Sequence, residues 1–359
     1  MRLTEGTFAA DALAEMEMSG DVRNKKTDDD TEEDASSEAE IQNMGAELLD
    51  ASCFPQDIHF PTDVGLLNRS RELLEQIIDF LYRLVSDKYT NKPRTYRLEA
   101  RTVYLGYAKA RKHTVRKIRK QIRSQLQYVG RDLRIVQDLV TNGADLTQLP
   151  NELQEKLKTI EVAYQQQKGM YDQDIRRCDD RIVSISQPHV RPIVRGKEHN
   201  PTEFGAKVAI AMVSGYAFIT SISWNNVAES TLLPAAAEQY KRMFGFYPRV
   251  IIGDRAYTNQ VNRAWCQDPS RNIRLSGPRK GRKSEEFKRE EAILLAQEGR
   301  IRNAVEGKFG TVKRKFGLGL IMPKLEDTSA SVIAMGFFVS NMERRLRRLG
   351  LMKVKKRAA

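Results

Sequence analysis

The sequence predicts an α/β protein whose mixed sheet is interrupted by a long block of helices. Three observations lead to this class. A short apolar run follows residue 45, and runs rich in β-branched and aromatic residues follow residue 180. Between them, residues 94–180 repeat apolar side chains at steps of three and four, the spacing of packed helices. Helical segments then alternate with the later strands, which is typical of a sheet covered by helices.

The N-terminal part of the chain, residues 1–45, is expected to be acidic and disordered. Residues 20–40 are almost free of bulky apolar side chains, so they cannot bury enough surface to offset the entropy lost on ordering. Residues 4–19 could form a short helix. The stretch "AELLDASCFP" then predicts a brief buried strand, with an apolar run from Ala46 to Leu49 that ends at Asp50 and a stop at Pro55.

Helices come next. In "NRSRELLEQIIDFLYRLV" the apolar period becomes helical, and residues 94–180 predict a helical hairpin broken at "TNGADLTQLP". The apolar seam of its first arm is formed by Val115, Ile118, Ile122, Leu126, Val129, Leu133, Val136 and Val140. The stripe of its second arm runs through Leu153, Leu157, Ile160, Tyr164 and Tyr171.

The first arm of this hairpin is strongly basic. Residues 94–134 hold thirteen Lys or Arg but only Glu99 and Asp132 as acids, so internal ion pairs cannot neutralise them. Such an arm is either a solvated outer face or a surface that follows a DNA backbone. We favour the DNA surface, and its candidate contacts are Arg111, Lys112, Arg116, Lys117, Arg119, Lys120 and Arg123.

After residue 180 the pattern returns to strands. "RIVSIS", "FGAKVAIAMVSGYAFITSISW" and "RVIIGD" predict strands, with a hairpin turn at "VSGYA". "ESTLLPAAAEQYKRMFG" predicts a helix that ends at Gly245, "NQVNRAWCQD" another helix and "IRLSG" a short strand. "PRKGRKSEEFKRE" predicts a basic loop before the helix "GRIRNAVEGKFGTVKRKFG", and "SASVIAMGFFVSNMERRLRRL" predicts the closing helix.

The charge of the chain points to a polyanionic partner. The 359 residues carry a net charge of +13, but the first 50 hold four Lys or Arg against fifteen Asp or Glu, which leaves +24 on the rest. Three scattered cysteines and four distant histidines show no zinc spacing. No signal peptide and no apolar stretch long enough to span a bilayer are apparent. We expect a soluble cytoplasmic protein.

Three carboxylates are candidates for a metal site. Asp50 and Asp254 each follow an apolar strand, so their side chains would emerge together if those strands are neighbours. Glu306 stands alone among six basic residues in residues 299–317, one helical turn after Arg302 and two turns before Lys313. It is either a surface ion-pair partner of Arg302 or the third oxygen ligand of Mg²⁺ or Mn²⁺.

Other acids and aromatic residues have ordinary interpretations. Asp57 lies in a predicted turn, where Asp commonly bonds its own backbone, and we prefer Asp50 over Asp57 and Asp63 as the ligand. Asp179 and Asp180 are expected to be loop acids. Tyr257 is a core residue or a DNA contact, and the tryptophans are expected in the core at positions Trp224 and Trp265.

Taken together, the motifs resemble those of bacterial insertion-sequence transposases of the DDE class, over roughly Ala46 to Leu349. Their signature Y-x-x-R-x-x-x-E-x-x-x-x-x-x-K is matched by Arg302, Glu306 and Lys313, with Gly299 in place of the aromatic residue. "LLDASCFPQDIHFPTD" is similar to the first-aspartate segment, with Thr62 and Asp63 in its trailing motif, and "VIIGDRAYTNQVNRAWC" is similar to the second. "DDRIVSISQPHVRPIVRGK" and "RLSGP" resemble a subgroup with a helical insertion between the first two acids.

The resemblance implies a ribonuclease H-like catalytic domain with Asp50, Asp254 and Glu306 as catalytic ligands of two Mg²⁺ or Mn²⁺ ions. It further implies cutting of double-stranded DNA at transposon ends, joining of the freed 3′-hydroxyl to target DNA, and assembly of a homodimer or larger oligomer on the DNA. Arg302 and Lys313 would contact phosphates. In these terms residues 46–66 and 181–349 form the catalytic domain, 67–180 the insertion and 350–359 a basic tail.

Alternatives remain open at this point. The family usually carries a helical region for end recognition before the first aspartate, and residues 1–45 show no helix-turn-helix pattern, so a truncated copy is one interpretation. A metal-dependent nuclease on the same fold would hydrolyse DNA without joining it. A noncatalytic DNA-binding remnant would keep the basic surface alone.

Overall fold

The computed structural model describes residues 2–18, 43–194, 202–278 and 281–352. The chain divides into two compact units. The sheet unit comprises residues 1–56, 205–323 and 327–359, and the helical unit comprises residues 57–204 and 324–326. None of the helices in the described ranges is both long and apolar enough to cross a membrane.

A mixed sheet forms the centre of the sheet unit. The strands are β1 (Ala46–Pro55), β2 (Arg191–Val194), β3 (Thr202–Val213), β4 (Tyr216–Ser223), β5 (Val250–Ile252) and β6 (Arg274–Leu275). Of these, β2 and residues 202–204 of β3 belong to the helical unit. The strand order is β2-β3-β1-β5-β6, and β4 also pairs with β3. β1 is antiparallel to β3 and parallel to β5, β3 is antiparallel to β4, and β5 is parallel to β6. The sheet is mixed and its strands alternate with helices along the chain, so the predicted α/β class is confirmed.

Helices cover both faces of this sheet. The helices of the sheet unit are α1 (Arg2–Met18), α6 (Leu233–Phe244), α7 (Gln260–Gln267), α8 (Glu285–Lys315) and, except for its first residue, α9 (Glu326–Arg348). α6 and α7 pack over Leu49 and Ile251 on one face. On the other face Phe54 of β1 contacts Phe309 of α8 and Phe337 of α9, with ring centroids 6.0 and 5.8 Å apart.

The helical unit has an apolar core of its own. Its helices are α2 (Asp63–Leu84), α3 (Arg97–Ala108), α4 (Val115–Thr141) and α5 (Asn151–Gln173). Leu74 and Ile78 of α2 pack with Val129 of α4 and Ile160 of α5, and all four side chains are fully buried. The predicted seam and stripe therefore meet each other and a third helix, α2, because two helices alone would leave part of each apolar stripe in water.

Several predicted boundaries differ from the structure. The basic arm is two helices, since α3 ends at Ala108 and α4 begins at Val115 after the Thr114 cap. "RIVSIS" forms no strand: Ile182 and Ile185 are buried in the core of the helical unit, so their apolar character reflects packing and not strand pairing. The predicted basic loop before the Glu306 helix is shorter, because Ser284 caps α8 at its N-terminus.

The hairpin turn and the helix stop were predicted correctly. Ser214 and Gly215, in "VSGYA", both have positive φ, as a two-residue turn between β3 and β4 requires. Gly245 ends α6 with φ of +87°. Trp224 is buried and Trp265 packs at the edge of the α6–α7 core, as expected.

The N-terminal segment contains a helix that packs into the sheet unit. Phe8, Ala12 and Met16 of α1 are buried against Tyr216 and Phe244. Apolar burial of this kind outweighs the acidic composition that led us to expect disorder for residues 1–45. Residues 19–42, which hold most of the predicted disordered linker, lie outside the described residues.

Candidate active site

Asp50 lies in the middle of β1, not at its end as the apolar run suggested. The strand continues to Pro55 because β3 pairs with it over its whole second half, and Asp50 lies opposite Ile210. The Asp50 side chain is half-buried, and its Oδ1 accepts a hydrogen bond of 2.8 Å from the Ala51 N–H. Asp50 is therefore presented from the central strand of the sheet.

Asp254 lies beside Asp50. In the parallel β1–β5 pair, Leu48 is opposite Ile252. Continuing this register by two residues brings Asp50 opposite Asp254, and their proximity agrees with the effect of the Asp254 charge on the pKa of Asp50. The chain has left β5 at this point, so Asp254 occupies the first turn after the strand.

The turn that carries Asp254 is fixed by close contacts. Asp254 Oδ1 accepts from the Ala256 N–H at 2.8 Å, and its carbonyl accepts from the Tyr257 N–H at 3.2 Å. A Cβ on Gly253 would come within 2.9 to 3.1 Å of the Tyr257 side chain, which is almost fully buried. Tyr257 is thus a core residue that supports the turn.

The electrostatics of the site disfavour charge on Asp50. The pKa of Asp50 is raised to about 6, chiefly by burial and then by the negative charges of Glu229 and Asp254, while the hydrogen bond from Ala51 and the charge of Arg302 act in the opposite direction. The pKa of Tyr257 is also raised, first by burial and then by Glu229, Asp50 and Asp254. Asp50 and Asp254 therefore repel each other with no cation between them, which is the situation that a bound divalent ion relieves.

Glu306 lies further out. Its side chain is 58 % exposed and its Oε1 accepts from Arg302 at 3.3 Å, the ion pair expected from their spacing. Within the described ranges no three or more His, Cys, Asp or Glu side chains lie close enough to hold one metal ion. Arg302 thus interacts with two of the three acids. It forms the ion pair with Glu306, and its positive charge lowers the pKa of Asp50.

Lys313 connects α8 to β1. Its Nζ donates to Ser52 Oγ at 2.8 Å and to the Cys53 carbonyl at 2.6 Å, and it lies 4.8 Å from the centre of the Phe54 ring. This cation therefore lies near the strand residues that follow Asp50.

Two carboxylates near the site were not identified from the sequence. Glu229, in a short 3₁₀ turn before α6, pairs with Lys207 at 2.9 Å and raises the pKa of Asp50. An acid just before a helix commonly interacts with the helix dipole, so the position of Glu229 suggested no other role. Glu47 is fully buried in β1, and a carboxylate inside "AELLD" could have been noticed as unusual in an apolar strand.

The other candidate acids have structural roles. Thr62 caps α2 by accepting from the Gly65 N–H at 3.1 Å, and Asp63 bonds Gln167 and Arg181 within the helical unit. Asp179 and Asp180 are exposed, and both of their carbonyls accept from Gln166. Asp179 and Asp180 are therefore loop acids, as predicted, and Asp63 is the first residue of α2.

The predicted DNA contacts of the basic arm are all exposed. Arg111 and Lys112 lie between α3 and α4, and the remaining five lie in the first half of α4: Arg116, Lys117, Arg119, Lys120 and Arg123. Arg119 pairs with Asp174 and lies 4.5 Å from the centre of the Tyr171 ring. Arg116, Lys120 and Arg123 share one face of α4, by their spacing of four and three.

The family comparison agrees with this geometry. Residues 251–343 match the family model described as Transposase DDE domain, a span that contains Asp254, Arg302, Glu306 and Lys313. Over these residues the chain is similar to transposase DDE domains. No curated protein and no solved structure matches the chain significantly. The DDE domain match begins inside β5 and ends inside α9, so Asp50 on β1 lies outside it.

Proposed function

We propose that this DDE transposase domain cuts DNA at transposon ends and joins the freed 3′-hydroxyl to target DNA, with Asp50, Asp254 and Glu306 as its catalytic residues. The observation that carries the proposal is the β1–β5 register, which brings Asp50 opposite Asp254 when it is continued by two residues, in a chain whose residues 251–343 match the DDE domain model. The negative charge of Asp254 also raises the pKa of Asp50, which supports their proximity.

The donor set fits a hard divalent cation. Asp50 and Asp254 offer oxygen ligands of the kind that Mg²⁺ and Mn²⁺ prefer, and their mutual repulsion favours cation binding. When bound, such ions activate a water or 3′-hydroxyl nucleophile and stabilise the leaving oxygen in an in-line displacement. We propose that Asp50 and Asp254 hold the ions and that Glu306 completes the set.

Exchange of the Arg302 ion pair would allow Glu306 to join the site. In this structure the Arg302 guanidinium bonds Glu306, and guanidinium groups also bind phosphate strongly. A DNA phosphate that binds the Arg302 guanidinium would displace the Glu306 carboxylate from it. The free carboxylate could then bind the cation beside Asp50 and Asp254. Lys313, next to the β1 residues that follow Asp50, is the proposed second phosphate contact.

The basic face of α4 supports double-stranded DNA as the partner. Arg116, Lys117, Lys120 and Arg123 project from the helical unit without an ion pair among the described residues. Such cations bind backbone phosphates without regard to sequence. Because a transposon has two ends, we further propose that at least two copies assemble on the DNA.

The test uses an oligonucleotide duplex with an intact transposon end and a second with a pre-cleaved 3′-hydroxyl. We expect Asp50→Asn, Asp254→Asn and Glu306→Gln each to abolish Mg²⁺-dependent cleavage and joining while DNA binding persists. Asp57→Asn and Glu286→Gln are matched controls, because both acids are exposed and Glu286 lies on α8 as Glu306 does.

The joining reaction separates the proposal from its alternatives. Cleavage without any joined product from the pre-cleaved end would indicate a plain nuclease. Binding without either reaction, in wild-type protein supplied with Mg²⁺ or Mn²⁺, would indicate a noncatalytic DNA-binding protein. Near wild-type cleavage by any one of the three variants would remove that residue from the site.

A further inference from the structure

A second basic site lies on the side of α8 away from Glu306. Here α8, α9 and α1 surround a cavity of about 530 Å³ within the sheet unit. Its cationic lining consists of Lys308, Arg344, Arg347 and Arg348, and its acidic lining consists of Glu15 and Glu343. The lining therefore carries two more positive charges than negative charges.

Lys308 is the least well compensated of these cations. It is partly buried, and its Nζ reaches only neutral acceptors, Ser340 Oγ at 3.3 Å and Asn341 Oδ1 at 3.5 Å. It forms no ion pair within the ranges that the structure describes. Glu343 is the acid whose charge acts on Lys308, and it is already paired with Arg347 and Lys315, so this position favours an additional anion.

The arginines of the cavity are only partly neutralised. Glu15 of α1 is shared between Arg344 at 2.7 Å and Arg348 at 3.8 Å. Glu343 is likewise shared between Arg347 and Lys315. The Nε of Arg344 is buried and has no hydrogen-bond partner. Donors therefore remain for an incoming oxyanion.

The cavity is distinct from the candidate catalytic site. Ala304, Lys308 and Thr311 line it, at a spacing of four and three that sets them on one flank of α8. Arg302, Glu306 and Lys313 share the opposite flank, and the buried row of Val305, Phe309 and Val312 lies between the two. At 100° per residue the two flanks lie about 180° apart.

We propose that this cavity binds one backbone phosphate of DNA, held by Lys308 and Arg344. A DNA phosphate fits better than a small free anion, because the cations continue along the end of α9. Arg344, Arg345, Arg347 and Arg348 share the acids Asp11, Glu15 and Glu343, which leaves an excess of positive charge that suits an extended polyanion. The entering phosphate replaces the Glu15 carboxylate at Arg344. The inference rests on the proposed function only in taking DNA as the partner.

The first experiment measures duplex DNA binding in EDTA, where no chemistry occurs, as a function of salt concentration. We expect Lys308→Met to weaken binding and to reduce the slope of log K against log salt by about one. Its melting temperature should be unchanged or higher, because the variant removes a buried, unpaired charge. Lys241→Met is the matched control: it changes the same charge at an exposed site on α6, over the other face of the sheet.

The second experiment changes the competing acid. Glu15→Gln should tighten DNA binding, because it leaves Arg344 and Arg348 without their shared carboxylate. An unchanged slope and affinity in Lys308→Met would overturn the proposal. So would saturable stabilisation by inorganic phosphate that Lys308→Met abolishes while its DNA binding stays normal, since the cavity would then be a small-anion site. DNA binding is measured in EDTA, where no cleavage occurs. A protein that does not cleave DNA would therefore still give an interpretable result in this experiment.

Discussion

Glu47 shows how strongly the central strand depends on burial. The side chain is 0 % exposed, and neither carboxylate oxygen has a hydrogen-bond partner. Burial raises the pKa of Glu47 to about 8, so the group is protonated at neutral pH. It packs in β1 next to the residues that form the α6–α7 core, three positions before Asp50.

This position predicts a pH dependence of stability. The unfolded carboxyl loses its proton near pH 4.5 while the folded one keeps it to about pH 8, so the free energy of unfolding should fall as pH rises through this window. We expect Glu47→Gln to remove up to about 1.4 kcal/mol per pH unit of that slope. Denaturant unfolding between pH 5 and pH 8 without metal measures it, and parallel profiles for both proteins would contradict the assignment.

Sequence patterns identified the catalytic candidates but not their electrostatic neighbours. Asp50 and Asp254 were recognisable because each follows an apolar run, and Glu306 because it is one acid among cations. Glu229 and Lys207 are 22 positions apart and meet only through the fold, so no local spacing predicts their ion pair. The same holds for Lys313 and Ser52, which come from α8 and β1.

At the scale of elements, the turn after β5 is the most constrained part of the site. Gly253→Ala would place its Cβ against the Tyr257 ring, which cannot retreat from the core. We expect a loss of about 1–3 kcal/mol in the free energy of unfolding, together with reduced cleavage as Asp254 shifts. Gly299→Ala is the control, because it lies inside α8 with nothing within 4 Å and should be neutral or stabilising. Wild-type stability and cleavage in Gly253→Ala would show that the turn tolerates movement.

The basic face of α4 gives a second prediction at this scale. Deleting the arm would remove Leu126 and Val129 from the core, so substitution is the cleaner test. We expect Arg116→Gln, Lys120→Gln and Arg123→Gln, combined, to reduce the salt slope of DNA binding by about three.

The controls for that triple variant come from cations that are already paired. Lys158→Gln and Lys168→Gln remove charges held by Glu155 and Asp172 on α5, and their slopes should change little. If the triple variant keeps the wild-type slope, the arm is a solvated face, the alternative that the sequence left open.

Helix and strand identities followed from the sequence wherever local chemistry decided them. Gly215 and Gly245 supply positive φ, and the apolar period of α4 matches its buried face. "RIVSIS" failed because a β-branched run is equally suited to packing against helices, and only its tertiary neighbours separate the two cases. Similarly, the extent of β1 past Asp50 is set by its β3 partner and not by its own residues.

At the scale of the whole molecule, the helical unit is an insertion between β1 and β3. Its first and last residues are close, since the rings of Phe60 and Phe204 lie 5.9 Å apart. Its core of buried Leu, Ile and Val side chains is separate from the clusters of the sheet unit. A group of helices that has its own apolar core and whose chain ends lie close together has the features of an independently folding domain.

We therefore expect a fragment of residues 57–204 to fold alone. Circular dichroism should show a helical spectrum and a cooperative denaturant transition. In the fragment, Leu74→Ala should lower the free energy of unfolding by about 2–5 kcal/mol, because it empties space in a fully buried site. A broad, noncooperative transition in the parent fragment would contradict its independence.

The hydrogen bonds of Lys313 to Ser52 and Cys53 restrict how the Glu306 side chain can move towards Asp50 and Asp254. Lys313 follows Glu306 by seven residues, a helical rise of about 10 Å. Because Lys313 is bonded to β1, the strand that carries Asp50, this part of α8 is held in place. Sliding α8 would break the bonds of Lys313, so in the proposed mechanism the Glu306 carboxylate would have to reach the cation by rotation about its own side-chain bonds.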